Sequence, residues 1–193
     1  MAWRTDRRVW AANSGFSLVE VLVASAILVT ALVSFVELFG ASLRATAAAR
    51  SGTEAMMLAV QKMEQLRSLI WTYDDAGAPV SDFTADTTMS PERPSGGTGL
   101  SPSPSDVLGR STDGYVDYVD SRGNLLGGGT TPPPRASYLR RWSIVPLPAD
   151  PANTLVLQVL VTRRLDSGVT EQEGVTRAPE EARLVSVKTR KTR

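Results

Sequence analysis

A nearly uninterrupted apolar run from Val21 to Phe39 begins directly after a single carboxylate, Glu20. Few structures accept such a run. In lipid every backbone polar group must be satisfied internally, so a segment of this length reads as a membrane helix. The apolar segment from Phe16 to Phe39, interrupted only by Glu20 and Glu37, would span ~36 Å as a helix, against a hydrocarbon core of ~30 Å. A charge at the centre of such a helix costs about 2.5–3.5 kcal/mol on insertion scales, so a glutamate there needs a partner or a function. Glu20 follows Gly15 by five residues. Before that glycine lies a short polar leader with Arg4, Arg7 and Arg8 against Asp6. The spacing suggests that the partner of Glu20 is created by cutting the chain after Gly15. The leader arginines predict that this end stays in the cytoplasm.

Gly15-Phe16-Ser17-Leu18-Val19-Glu20 resembles the amino-terminal signature of the type IV prepilin family, which includes pilus subunits and the pseudopilins of type II secretion. That signature is a short basic leader, a glycine, a phenylalanine and a glutamate as fifth residue of the mature chain, heading an apolar helix. Gly15, Phe16 and Glu20 fill the defining places. The residue before the glycine, often basic in the family, is Ser14 here. The resemblance implies cleavage between Gly15 and Phe16 by a prepilin peptidase, N-methylation of Phe16 by the same processing enzyme, and a role for Glu20 in assembly. It implies other pilin-like subunits and the inner membrane as partners, a cytoplasmic N-terminus, an extracytoplasmic head and association with a filament. It implies a structural protein and not an enzyme. The order of helix, variable segment and short sheet is similar to minor pseudopilins and PilV-type minor pilins, and the strand sequence with Arg141-Trp142 adds to that likeness.

The helical pattern continues past the membrane segment. From Ala41 to Ile70 there is no proline and one glycine, Gly52, and good helix formers dominate. Met56, Ala59, Val60, Met63, Leu66 and Ile70 recur at three- and four-residue steps, which predicts one apolar face covering a sheet. Arg50, Glu54, Lys62 and Arg67 fall largely elsewhere. Residues 74–137 hold eight prolines and ten glycines, a loop composition, with Gly114–Val119 as one strand-like island. Asp113, Asp117 and Asp120 surround it. Their spacing does not match a calcium-binding EF-hand loop, and a solvated acidic turn is expected. From Tyr138 the pattern turns to β, with strands expected over 138–147, 154–164 and 182–189. Leu155, Leu157, Val159 and Val161 share one face of the middle strand. The expected fold is α+β, a long N-terminal helix packed on a small C-terminal antiparallel sheet. The divisions are a leader at 1–15, a membrane or filament-core helix at 16–39, an amphipathic continuation at 40–73, a Gly/Pro-rich segment at 74–137, and a β head with a basic tail at 138–193.

The chain has no cysteine and no histidine. Disulfide staples are excluded, as are zinc sites and catalytic arrangements that need imidazole or thiolate. No phosphate-binding loop appears, because Gly96-Gly97 and Gly127-Gly128-Gly129 lack a strand-then-helix context. No cofactor or metal is expected. Without the leader the chain has 18 basic and 19 acidic side chains, so no nucleic-acid partner is expected. The basic tail, Lys188 to Arg193, reads as a solvated strand end or as a dock for an acidic partner. Two other function classes fit less well. A secreted binding protein would use Ala45-Thr46-Ala47 or Ala47-Ala48-Ala49 as a small-residue cleavage site. A membrane-anchored enzyme or sensor would keep the anchor uncut.

Overall fold

The computed structural model describes residues 15–164 and 181–190. The chain divides into two compact units, Met1–Thr46 and Ala47–Arg193. One helix, α1 (Leu18–Ser68), contributes to both. In the first unit it is apolar all round, and none of its residues is buried. An all-apolar helix without a protein core around it belongs in a bilayer or among like helices. It is the one helix among the described residues long and apolar enough to cross a membrane. The hydroxyls of Ser25, Thr30 and Ser34 donate back to carbonyls three or four residues earlier. They thus present no unsatisfied donor to an apolar surrounding.

The second unit is an α+β head. Its principal sheet holds β3 (Val116–Val119), β4 (Leu125–Gly128), β5 (Tyr138–Pro146), β6 (Thr154–Arg163) and β7 (Glu181–Thr189), in the order β4-β3-β5-β6-β7. All neighbours are antiparallel. A separate hairpin joins β1 (Trp71–Tyr73) and β2 (Pro79–Ser81). Leu155, Leu157, Val159 and Val161 of β6 are buried, as their alternation requires. With Trp142 and Ile144 of β5 they form one core with Ala55, Ala59, Met63 and Leu66 of α1.

Three expectations need correction. First, Ala59, Met63 and Leu66 of the expected face are buried, but the rest of the buried stripe is Ser51, Ala55 and Lys62, not Met56, Val60 and Ile70. Met56 and Val60 are 43% and 46% exposed, and Ile70 is similar. The buried stripe includes two alanines, which let the helix sit close to the bulky Trp142, and a lysine, which a hydrophobic reading rejects. Second, α1 stops at Ser68 and residues 71–73 are strand rather than helix. Trp71, Thr72 and Tyr73 are β-formers, and Asp82 holds the corner by accepting from the Ile70 amide at 2.7 Å. Third, besides the expected strand β3, residues 74–137 contain β2 and β4 and bury Ala85, Leu100, Val107 and Tyr115. Their glycines permit backbone crossings. A side chain on Gly97 would strike the backbone of Ala85 and Asp86, and one on Gly99, at φ +47°, would strike Asp82.

At the centre of the head lies an ionic cluster. Lys62 and Asp117 are 0% exposed and Arg140 is 3% exposed. Asp117 and Arg140 are cross-strand partners on β3 and β5. The guanidinium grips the carboxylate with two bonds, Nε to Oδ1 at 2.6 Å and Nη2 to Oδ2 at 2.9 Å. The Lys62 ammonium reaches the same carboxylate at 2.9 Å. It also donates to the Thr87 carbonyl at 2.5 Å and to Gln65 at 3.0 Å, and lies 3.7 Å over the Trp142 ring. Arg140 donates its remaining nitrogen to Gln61 at 3.1 Å. Helix, loop and sheet are tied through one carboxylate.

Burial pulls the Lys62 pKa down from 10.5 to about 8, opposed by Asp117 and assisted by Arg140. The cluster holds two cations and one anion, so its members are not equivalent. Asp117→Asn strands both cations and should cost about 3–5 kcal/mol in urea denaturation. Lys62→Met leaves a balanced pair and an orphaned Thr87 carbonyl, for about 1–3 kcal/mol. Val60→Asp, on the half-exposed face, should stay within about 0.5 kcal/mol of wild type. The pH dependence has a definite sign. Between pH 8 and 10.5 the unfolded chain keeps the Lys62 proton and the folded chain sheds it, so stability rises with pH. Wild type should gain about 1–2 kcal/mol relative to Lys62→Met between pH 7.5 and 9.5, read from thermal melts of the detergent-solubilised chain. A flat difference would show that Lys62 stays charged throughout.

Candidate functional site

The residues singled out at the head of the apolar run come together at the start of α1. Gly15, Phe16 and Ser17 precede the helix without regular structure, and Glu20 lies in its first turn. The Val21 amide donates to the Ser17 carbonyl at 3.1 Å, closing the first turn. Ser17 thereby occupies the cap position and Glu20 the third helical position, the spacing of a capping box. A carboxylate in the first turn also favours the positive end of the helix dipole. Glu20 therefore has a local reason to be tolerated at the helix start, besides any role toward a neighbour. Sequence reasoning passed over this local role, although Ser-x-x-Glu is its signal.

The Gly15–Phe16 peptide bond lies outside the helix. Phe16 is 82% exposed, and a side chain placed on Gly15 would meet nothing within 4 Å. The glycine is thus not demanded by this fold. A requirement for it has to come from whatever handles the bond. Residues 1–14, with Arg4, Arg7 and Arg8, lie outside the described residues.

Other candidate residues take structural positions. Asp117 is consumed by Lys62 and Arg140. Asp120 closes the β3–β4 turn, accepting from the amides of Arg122 and Asn124 at 2.8 and 2.9 Å and from the Asn124 side chain at 3.0 Å. These bonds hold its carboxyl below the usual range. With Asp113 they form no metal-ligand group, and none occurs among the described residues. Glu54 joins α1 to the sheet. It accepts from Tyr138 Oη at 2.7 Å and from Arg50 at 3.2 Å, and these bonds lower its pKa.

The tail residue Arg190 is neither solvated nor free for a partner. It donates to the carbonyls of Thr72, Val80 and Ala152 and to Ser81 Oγ at 2.8–3.0 Å, and stacks 3.6 Å from the Trp71 ring. It clamps the end of β7 to the β1–β2 hairpin. Residues 191–193 lie outside the described residues. A cleft of about 640 Å³ beside the ionic cluster is lined by Gln61, Gln65, Thr88, Ser90 and Asn124, with Arg140 at its wall. Arg140 is committed to Asp117 and Gln61, which leaves amides, hydroxyls and the apolar side chains of Met89, Leu125 and Leu126 facing the space.

The processing and helix-start residues are also where a comparison with known proteins finds a match. No characterised protein and no solved structure matches the chain. A family model described as the prokaryotic N-terminal methylation motif matches residues 10–36, which contain Gly15, Phe16, Glu20 and most of the apolar run. That motif implies processing by a prepilin peptidase, assembly with other pilins, and anchorage in the inner membrane by the apolar part of α1. The matched motif runs into α1, so the chain carries a type IV prepilin-like N-terminus on a long apolar helix and an α+β, pilin-like fold.

Proposed function

We propose that this chain is a low-abundance structural subunit of a type IV pilus or a type II secretion pseudopilus, acting in priming or at the tip. Prepilin peptidase cuts it between Gly15 and Phe16, and Phe16 is N-methylated. The uncut chain sits in the inner membrane with its N-terminus in the cytoplasm and its head outside, as the leader arginines favour. The observation that carries the reading is the position of Glu20, one turn into an unburied apolar helix and directly after an exposed, non-helical Gly15–Phe16 bond. Cleavage frees an α-amino group with a reference pKa of about 7.7–8.0, protonated in most chains near neutral pH. Methylation keeps that charge. Glu20 of one subunit then pairs with the amine of its neighbour, which offsets the desolvation each suffers alone. An uncut chain lacks the amine and retains a polar leader, so it stays out of the filament. The low-abundance role is favoured by the absence of a disulfide and by a helix without the bending proline common in major pilins. A secreted protein is disfavoured because Ala45–Ala49, the alternative cleavage region, lies in the interior of α1.

Two experiments test this. Peptide mass spectrometry of the membrane-extracted protein should find a mature chain starting at methylated Phe16, and Gly15→Val should retain the precursor with an unchanged melting curve. A terminus at Ala48 or Arg50 would support a secretory signal instead. Glu20→Ala and Glu20→Gln should be cut, reach the membrane and fold, yet fail to enter filaments, scored by incorporation of this subunit itself. Incorporation at the wild-type level by both would exclude the ion-pair mechanism here.

A further inference from the structure

Between Phe16 and Thr46 the helix carries three ionisable side chains, Glu20, Glu37 and Arg44. All three are exposed, and none has an ion-pair partner among the described residues. Their spacing is not scattered. Phe16, Val23, Thr30, Glu37 and Arg44 recur every seven residues. Glu20, Ile27, Ser34 and Ala41 form a second seven-residue series, four positions on. Together they make the alternating four-and-three seam of a helix that faces a parallel neighbour. Every charge of the apolar helix therefore lies on one seam. In its middle are Thr30, Ser34 and Ala41, small enough for close approach of two backbones. The Thr30 and Ser34 hydroxyls are already spent on carbonyls of their own helix, at 2.9 and 3.0 Å.

Within one chain Glu37 and Arg44 are seven residues apart, a rise of ~10.5 Å, and miss the three- or four-residue spacing of a helical ion pair. Two parallel copies in register would set like charges side by side. Raising one copy by four residues, ~6 Å, moves its chain start at Phe16, just ahead of α1, toward Glu20 of the other. The same shift brings its Glu37 to within ~4.5 Å of rise from Arg44 of the other, inside the reach of two long side chains. Because the copies are identical, the opposite shift makes the same two pairs with the roles of the copies exchanged. One displacement thus serves all four charges.

We propose that the seam from Phe16 to Arg44 docks a second copy of this chain, parallel and displaced by about four residues, with Glu37 and Arg44 as a second intersubunit ion pair. The inference rests on the processing reading for the Phe16 amine and adds the occupant, the register and the second pair. The occupant is a second copy because this chain carries both halves of both pairs. The contact is head-to-tail, so each docked copy presents the same seam again. Lipid phosphate would match Arg44 but gives Glu37 no counter-charge. A subunit that starts a filament must hold its first neighbour, and self-docking supplies it.

The chain has no cysteine, so disulfide formation in membranes reports the register without background. Two separately tagged full-length copies are co-expressed, one with Ser34→Cys and the other with Thr30→Cys. The mixed 34–30 product should exceed the 30–30 and 34–34 products several-fold. Arg44→Glu on the Ser34→Cys copy, or Glu37→Arg on the Thr30→Cys copy, should each reduce the mixed product, and the two together should restore it. Single reversals without effect, or no restoration by the pair, would overturn the second ion pair. Absence of the mixed product with both copies present would overturn docking of a second copy and assign the seam to lipid or to another subunit. A mixed product that depends on Glu20 but ignores Glu37 and Arg44 would overturn this inference while sparing the processing reading. A mature terminus other than Phe16 in the same sample would instead overturn the processing reading.

Discussion

The head is organised around one buried carboxylate. Asp117 sits on a short strand between a helix lysine and a neighbouring-strand arginine, all shielded from water. Removing three ionised groups from water is expensive, and their mutual attraction offsets this only when the geometry is good and the remaining donors are satisfied. Here they are. The guanidinium is bidentate, the lysine has a carbonyl, an amide and an aromatic face as further partners, and Gln61 takes the outer arginine nitrogen. A cluster of this kind is a weak source of net stability and a strong constraint on arrangement. Helix, Thr87 loop and sheet must all be correctly placed before any of the charges is satisfied. In a head with no disulfide, that constraint and the Arg190 clamp fix elements far apart in sequence.

The membrane half of α1 meets the same problem under opposite conditions. Glu20, Glu37 and Arg44 are charges on an apolar element, and none has an ion-pair partner among the described residues. In the head the counter-charge is supplied by folding. On the proposed function it is supplied by processing and by a neighbour. The charges are then fully paired only in the assembled state. This is a physical reason for a protein with a self-sufficient head to remain incomplete at its other end.

Much of this was legible in the sequence where the signal is local. The apolar run, the glycine before it and the glutamate at its head need no tertiary information. Strands β5, β6 and β7 follow from alternation, and Leu155, Leu157, Val159 and Val161 are buried as that alternation requires. What escaped was non-local. Ala59, Met63 and Leu66 of the α1 face are legible, but the face is rotated because Lys62 counts as polar until Asp117, 55 positions away, is known to neutralise it. Met56 and Val60 count as core until the alanines beside them prove to make the close approach. The Gly/Pro-rich segment read as loop because its burial depends on single residues such as Leu100 and Val107, without periodicity. Arg190 looked like part of a charged tail, and only its meeting with Trp71 and three carbonyls shows it as a clamp.

The two ends of the chain also differ in what a substitution can reveal. A change at Asp117 acts on the free energy of folding, because all its partners are in one molecule. A change at Gly15 acts on neither fold nor membrane anchorage, because the glycine stands in open space ahead of the helix. On the proposed function its effect passes through the processing enzyme. A change at Glu20 lies between these. Its place in the first turn gives it a helix-capping contribution of about 0.5–2 kcal/mol at most, small beside the about 3–5 kcal/mol at stake when a buried charge loses its partner. Capping loss frays one turn of a long helix that the bilayer itself holds helical. Pair loss leaves a neighbour's ammonium stranded in an apolar seam. That inequality is why Glu20 is better understood through the assembly it permits than through the helix it begins.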